Sequence, residues 1–177
     1  MAGSRTTEIT INDINGQQTS YSENGKRAVC YRGMENPWGN IWRYIGGLRV
    51  EYGQRGTGGT ACINTDYTST NNTDVYTNLT FHLPSTSNYI SAFGYDEHYD
   101  WVFLPIECAG NSSIPVGDYS WTTNGFDGTH AAIIGGSWYS KENAGLFAYG
   151  FDQDVNTSLR SIGANVMFIP DEDSIYE

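Results

Sequence analysis

The chain has 177 residues, 38% of them hydrophobic and only 16% charged, and its 9 Lys and Arg against 20 Asp and Glu leave a net charge of -11. That length can bury one good core and nothing asks for a second, while the negative balance repels phosphate backbones and anionic lipid, arguing against nucleic-acid and membrane partners. With 21 Gly and 13 Tyr among abundant Ser, Thr and Asn, the profile is that of a strand-rich, loop-rich domain with an uncharged polar surface.

In chain order, Thr6 to Ile14 is a short alternating run that ends at the turn signal Asn15-Gly16, so residues 1–27 read as an N-terminal arm or edge strand. Ile41 to Ile45 and Leu48 to Tyr52 are bulky runs on either side of Gly46-Gly47, a pair able to take positive φ. They predict a tight hairpin with Ile45 opposite Leu48 and Arg43 opposite Val50. Residues 53–80 turn to Gly, Thr, Asn and Asp and read as a long excursion with little core-forming content. Trp101 to Pro105 reads as a short buried strand and Asp118 to Thr122 as another. Three more candidates follow at Ala131 to Ile134, Leu146 to Tyr149 and Ile162 to Ile169. Helical periodicity is nearly absent. A single domain over 28–169 and a frayed acidic tail at 170–177 complete the division. The N-terminus has no apolar signal-peptide core and no run of 18 apolar residues occurs, so neither an export address nor a membrane span is expected.

Reactive residues are few. Cys30, Cys62 and Cys108 are widely spaced with no C-x-x-C, which leaves one disulfide plus a free thiol, or three buried thiols; the second is favoured because free Cys packs as a small hydrophobe. His98 sits among carboxylates and aromatics in YDEHYD, but one His without a second ligand reads as a satisfied loop residue, and His82 and His130 read as structural. Phe151-Asp-Gln-Asp-Val-Asn156 resembles the start of a calcium loop and fails at Thr157, where Gly is needed, and at Gly163, where a bidentate Glu should stand. Gly135-Gly136-Ser137-Trp138-Tyr139 is not a G-x-S-x-G nucleophile elbow, and GQRGTGGT lacks the lysine of a phosphate-binding loop. Neither a cofactor nor a metal is expected. The N-x-S/T sequences at Asn71, Asn78, Asn111 and Asn156 read as by-products of an Asn- and Thr-rich chain.

Three segments in order carry a resemblance: Glu35-Asn-Pro-Trp-Gly-Asn-Ile-Trp-Arg-Tyr44, then Ile134-Gly-Gly-Ser-Trp138, then Ser161-Ile-Gly-Ala-Asn165. Over about residues 28–169 the chain resembles the formylglycine-generating-enzyme branch of the C-type-lectin fold. This implies an α+β, strand- and loop-rich, C-type-lectin-like fold with little helix. The sequence departs from that branch at Ile134 and Asn165, where Arg is usual, and at Arg43, where Glu is usual. The oxidase members carry two catalytic cysteines, three residues after Gly-Gly-Ser and five further on, since copper-dependent thiol oxidation needs two thiolates. Those positions are Ser140 and Gly145 here, so the resemblance implies the scaffold without the enzyme.

The nearer likeness is to ligand-binding domains of phage tail and head fibres and to variable proteins of diversity-generating retroelements, of the major tropism determinant type. It implies a non-catalytic recognition module, virion-borne or, alternatively, part of a bacterial cell-surface protein, that binds a host-cell surface protein or polysaccharide. A structural or decoration role in subunit assembly, as a homo-oligomer such as a trimer, is the alternative. The implied binding face near 138–156 comprises Trp138, Tyr139, Ser140, Lys141, Glu142, Asn143, Tyr149, Phe151, Asp152 and Asp154. Rigid aromatics supply contact area there and small polar residues supply adaptable hydrogen bonds. Gly135, Gly136, Gly145 and Gly163 read as sites of close backbone approach, and Trp38, Trp42, Leu146 and Ile162 as core.

Overall fold

The computed structural model describes residues 9–12, 18–21, 30–31, 34–35, 37–53, 56–65, 75–113, 117–123 and 127–164, the first four of these segments as backbone. The molecule is strand-rich with almost no helix, 4% helical, and is built on a curled mixed sheet. No α-helix occurs among the described residues, so the helical half of the expected α+β class is reduced there to short 3-10 turns, as at Lys141–Asn143. None of the described helices is long and apolar enough to cross a membrane.

β1 (Ile9–Asn12) and β2 (Gln18–Tyr21) pair antiparallel as a two-stranded sheet with Ile9 opposite Tyr21, so the predicted edge element supplies two strands; the turn signal read at Asn15-Gly16 lies outside the described residues. β3 (Cys30–Tyr31) and β4 (Met34–Glu35) form a second small pair. The main sheet uses β5 (Trp42–Tyr52), β6 (Thr60–Ile63), β7 (Thr77–His82), β8 (Asn88–Tyr89), β11 (Tyr119–Trp121), β12 (Gly128–Ile134), β13 (Tyr149–Asp154) and β14 (Ile162–Gly163). Its order is β7-β6-β5-β12-β13-β11-β8, with β14 joining β5. The β11–β13 and β14–β5 pairings are parallel and the others antiparallel. β9 (Ala92–Phe93) and β10 (Pro105–Glu107) stand apart as a third small pair.

The predicted Gly46-Gly47 hairpin does not form. β5 runs straight through the two glycines as an 11-residue strand. Opposite β12, Ala131 pairs with Arg49 but Ile133 pairs with Tyr44, so the Ile45–Leu48 stretch is thrown out as a wide bulge. Gly47 holds φ at 74° and its carbonyl accepts the Asn64 amide at 2.7 Å. The glycine conformation is therefore used as expected, but to kink a strand. Each half of β5 already has partners, β12 and β14 upstream, β12 and β6 downstream, so reversing the chain would forfeit more ladder bonds than it gained.

Other boundaries move for similar reasons. The excursion at 53–80 contains β6 and most of β7: Ala61, Cys62 and Ile63 are buried in succession, so β6 is covered on both faces, while on β7 Leu79 is buried between exposed Asn78 and Thr80. Trp101 to Leu104 is no strand; it alternates exposed and buried, and pairing begins only at Pro105. Leu146 and Phe147 form a turn before β13. β11 lies inside the predicted 118–122 segment and β12 contains the predicted 131–134 segment. β14 ends at Gly163, and Ala164 belongs to no strand; the rest of the predicted 162–169 segment, with Asn165, and the tail 170–177 lie outside the described residues.

The core gathers Val50, Tyr52, Ile63, Leu79, Leu83, Ile90, Leu104 and Phe151, each contributing about 1.5–3 kcal/mol of transfer free energy when fully buried. Cys108 is a free buried thiol within it, and Cys62 is a free buried thiol on β6 that donates to Asn78 Oδ1 at 3.1 Å; the side chain of Cys30 lies outside the described residues. His130 is buried edge-on to Tyr52 with ring centres 5.0 Å apart. His82, by contrast, is exposed, with Nδ1 3.2 Å from the Thr60 hydroxyl, since strand alternation turns it out of the apolar surroundings its neighbours suggested.

Candidate functional site

The polar run after Gly-Gly-Ser-Trp is a loop fixed at several points by backbone hydrogen bonds. Gly135 donates to Ala148 O at 2.9 Å and its own carbonyl accepts the Gly39 amide at 3.0 Å, with φ of 100° at Gly135 and 75° at Gly136. Ser137 bridges to Asn40 in parallel fashion, and the Trp138 amide donates to Asn40 O at 3.1 Å. The Ser140 hydroxyl accepts the Ser137 amide at 3.1 Å, and its carbonyl accepts the Asn143 amide at 2.9 Å to close the 3-10 turn. Lys141 takes φ of 49°, a left-handed conformation that is costly for a residue with a Cβ. At the far end the Tyr89 hydroxyl donates to Asn143 Oδ1 at 2.6 Å.

The loop displays Trp138 at 42% and Tyr139 at 65% exposure, beside exposed Lys141 and Glu142 and half-buried Ser140 and Asn143. Arg160 Nη2 reaches the Tyr139 hydroxyl at 3.4 Å. Asp152 and Asp154 are also exposed. Tyr149 and Phe151 are not on this surface: both are buried in the core, their rings 5.6 Å apart and nearly parallel. Residues two apart on a strand share one face, and on β13 that face is inward for 149 and 151 while Asp152 and Asp154 point outward. The two aromatics are thus corrected from contact residues to packing residues.

Tyr139, Ser140 and Asp152 converge on a cavity of about 280 Å³ that Trp42, Trp121, Ser137, Gln153 and Leu159 also line. Trp42 and Trp121 meet edge to face at 5.1 Å. Aromatic walls with hydroxyl, amide and carboxylate groups suit a ligand that combines apolar faces with hydrogen-bonding edges. Trp138 stands beside Tyr139 at 5.2 Å but does not line the cavity, and Asp154 is engaged locally, accepting the Asn156 amide at 2.8 Å. Trp42 and Ile162, read from sequence as core, are half-buried cavity walls. Trp121, Gln153, Leu159 and Ser161 were missed; parallel pairing of β11 with β13 and of β14 with β5 brings them in, and nothing in local spacing signals such long-range partners.

No protein-family model, curated protein or solved structure matches this chain. The site therefore rests on its own geometry.

At the two positions where the oxidase resemblance would need cysteines, the Ser140 hydroxyl accepts the Ser137 amide, and a Cβ on Gly145 would overlap the Asp118 carboxylate. That carboxylate accepts the Phe147 amide at 2.9 Å and so fixes the turn entering β13. His98 is a loop residue with Nδ1 3.8 Å from Asp96 and 3.9 Å from Glu97. Asp96 belongs to the scaffold: it accepts the Thr80 amide and hydroxyl at 3.0 Å and the His98 amide at 3.0 Å, and these bonds, the Thr80 amide foremost, hold its carboxyl below the ordinary carboxylate value. Among the described residues no three His, Cys, Asp or Glu side chains cluster as a metal site would require.

Proposed function

We propose that this chain is a non-catalytic recognition module with a C-type-lectin-like frame, a phage fibre or tail domain that binds a protein or polysaccharide on a bacterial surface. The observation that carries the reading is the Trp138–Glu142 loop, held by its backbone to Asn40 and by its own 3-10 turn while its aromatic and charged side chains face solvent and Tyr139 lines the Trp42–Trp121 cavity. Such a loop presents large contact area at low entropic cost, because the backbone is ordered before any ligand arrives. The frame and the displayed side chains are also separable, which suits a face whose residues vary while the fold persists. The two occupied cysteine positions support a binding role over thiol oxidation.

The test is binding of labelled protein to a panel of bacterial cells and to their extracted surface proteins and polysaccharides, followed by flow cytometry and pull-down. Tyr139→Ala and Asp152→Ala should each weaken binding about tenfold or more with unfolding midpoints unchanged. Binding indifferent to both substitutions, or no binding to any cell or extract, would sink the reading.

A further inference from the structure

A second surface, sharing no lining residue with the first cavity, has a different chemistry. Phe93 and Phe103 stack at 3.8 Å, Phe103 meets Phe147 edge-on at 5.6 Å, and Trp101 adjoins through the 101–104 segment, packed edge-on to Tyr99 at 6.4 Å. Trp101 is 62% exposed, Phe103 49% and Phe147 43%, a grouping of large apolar side chains that monomers seldom leave uncovered without use. At its foot is a cavity of about 300 Å³, walled by Ile45, Leu48, Ile63, Leu104, Ile134 and Tyr149, with Gly46 and Gly47 of the β5 bulge also on its lining. The aromatics are held in place beforehand: the Phe103 carbonyl accepts the Tyr149 hydroxyl and the Phe147 amide donates to Asp118.

The chain segment that carries Trp101 and Phe103 bears charge of one sign. Between Arg55 and Lys141 the sequence has no Lys or Arg and eight Asp and Glu. Glu97, Asp100 and Glu107, all exposed, flank the aromatic group in the chain. We infer that this surface docks a cationic protein segment that inserts one large aliphatic or aromatic side chain into the bulge cavity and sets its Lys or Arg residues against the acidic rim. The cavity takes the anchor, the exposed rings add face and edge contacts to it and to guanidinium groups, and the carboxylates give attraction and register. A second copy of the chain is a poor occupant, since a two-fold contact here would press Glu97 and Asp100 of each copy toward those of the other.

The experiment is selection of a displayed random dodecapeptide library on the whole protein, with winners synthesised and their affinities measured at two salt concentrations. Enriched peptides should carry a large apolar residue flanked by Lys or Arg. Phe103→Ala and Trp101→Ala should weaken them about 30-fold, and Glu97→Gln with Asp100→Asn, which cannot disturb the core, should weaken them several-fold at low salt and flatten the salt dependence. Winners that are neutral or acidic, that bind all variants equally, or that compete with the Tyr139 face would overturn the assignment, as would an empty selection. Concentration-dependent sedimentation abolished by Phe103→Ala would also overturn it and give the surface to a second copy.

Discussion

Phe151 and Tyr139 lie on adjoining segments, and both suggested contact residues by type, yet one is fully buried and the other 65% exposed. Phe151→Ala empties part of the core and should cost about 3–5 kcal/mol, whereas Tyr139→Ala should stay within about 0.5 kcal/mol of the parent stability. Urea unfolding of the two variants checks the pair; similar losses would mean that the loop packs inward. Gly145 gives a second contrast. A methyl group there meets the Asp118 carboxylate, so Gly145→Ala should lose about 1–3 kcal/mol as the Phe147 amide bond is pushed apart. An unchanged urea midpoint would show that the turn has slack. The sequence already marked 145 as a close-approach glycine, but the group it approaches, 27 residues upstream, leaves no trace in the local pattern.

At the level of elements, Gly46-Gly47 shows where reading stops. Two bulky runs around a Gly pair fit a hairpin and a bulged strand equally well, and the decision falls to partners far along the chain: Ile133 and Ile134 of β12, pairing with Tyr44 and Arg43, and Ile162 of β14, pairing with Trp42, hold the upstream half in line with the downstream half. Gly47→Ala should cost about 1–2 kcal/mol, the penalty of a left-handed conformation for a residue with a Cβ. It should also reshape the apolar cavity, weakening any ligand at Trp101 more than any at Tyr139. Equal stability of Gly47→Ala and the parent would mean the bulge tolerates another conformation. Strands with clear alternation or dense apolar content, such as β1 and β12, were legible. β6 and β7 were not, because the surrounding Thr and Asn residues outweigh four buried ones in any window average.

Across the whole molecule, the buried ionisable groups bound the pH range of stability. Burial, above any nearby charge, pushes the Tyr149 hydroxyl up from 10.0 to about 12 and the Cys108 thiol from 9.0 to about 11, and it raises Tyr52 and Cys62 as well. Each is neutral in the fold, and the unfolded chain ionises first. Their contribution to stability is therefore complete below about pH 9 and is lost as pH rises from there through about 12. Asp96 acts in the opposite sense: its carboxyl is held below 3.8 by the Thr80 and His98 bonds, so its contribution is present above about pH 4 and disappears as pH falls through its folded value. A stability plateau between these limits is the expected outcome of denaturant unfolding at stepped pH. Net charge of -11 grows more negative in alkali and could mimic the upper edge, but repulsion spread over the surface is screened by salt whereas burial is not. In 0.5 M salt the alkaline decline should persist, and Tyr149→Phe should flatten its part between pH 10 and 12 although it forgoes the bond to Phe103 O. A decline erased by salt, or identical in Tyr149→Phe, would assign alkaline unfolding to overall charge instead of to the buried hydroxyl.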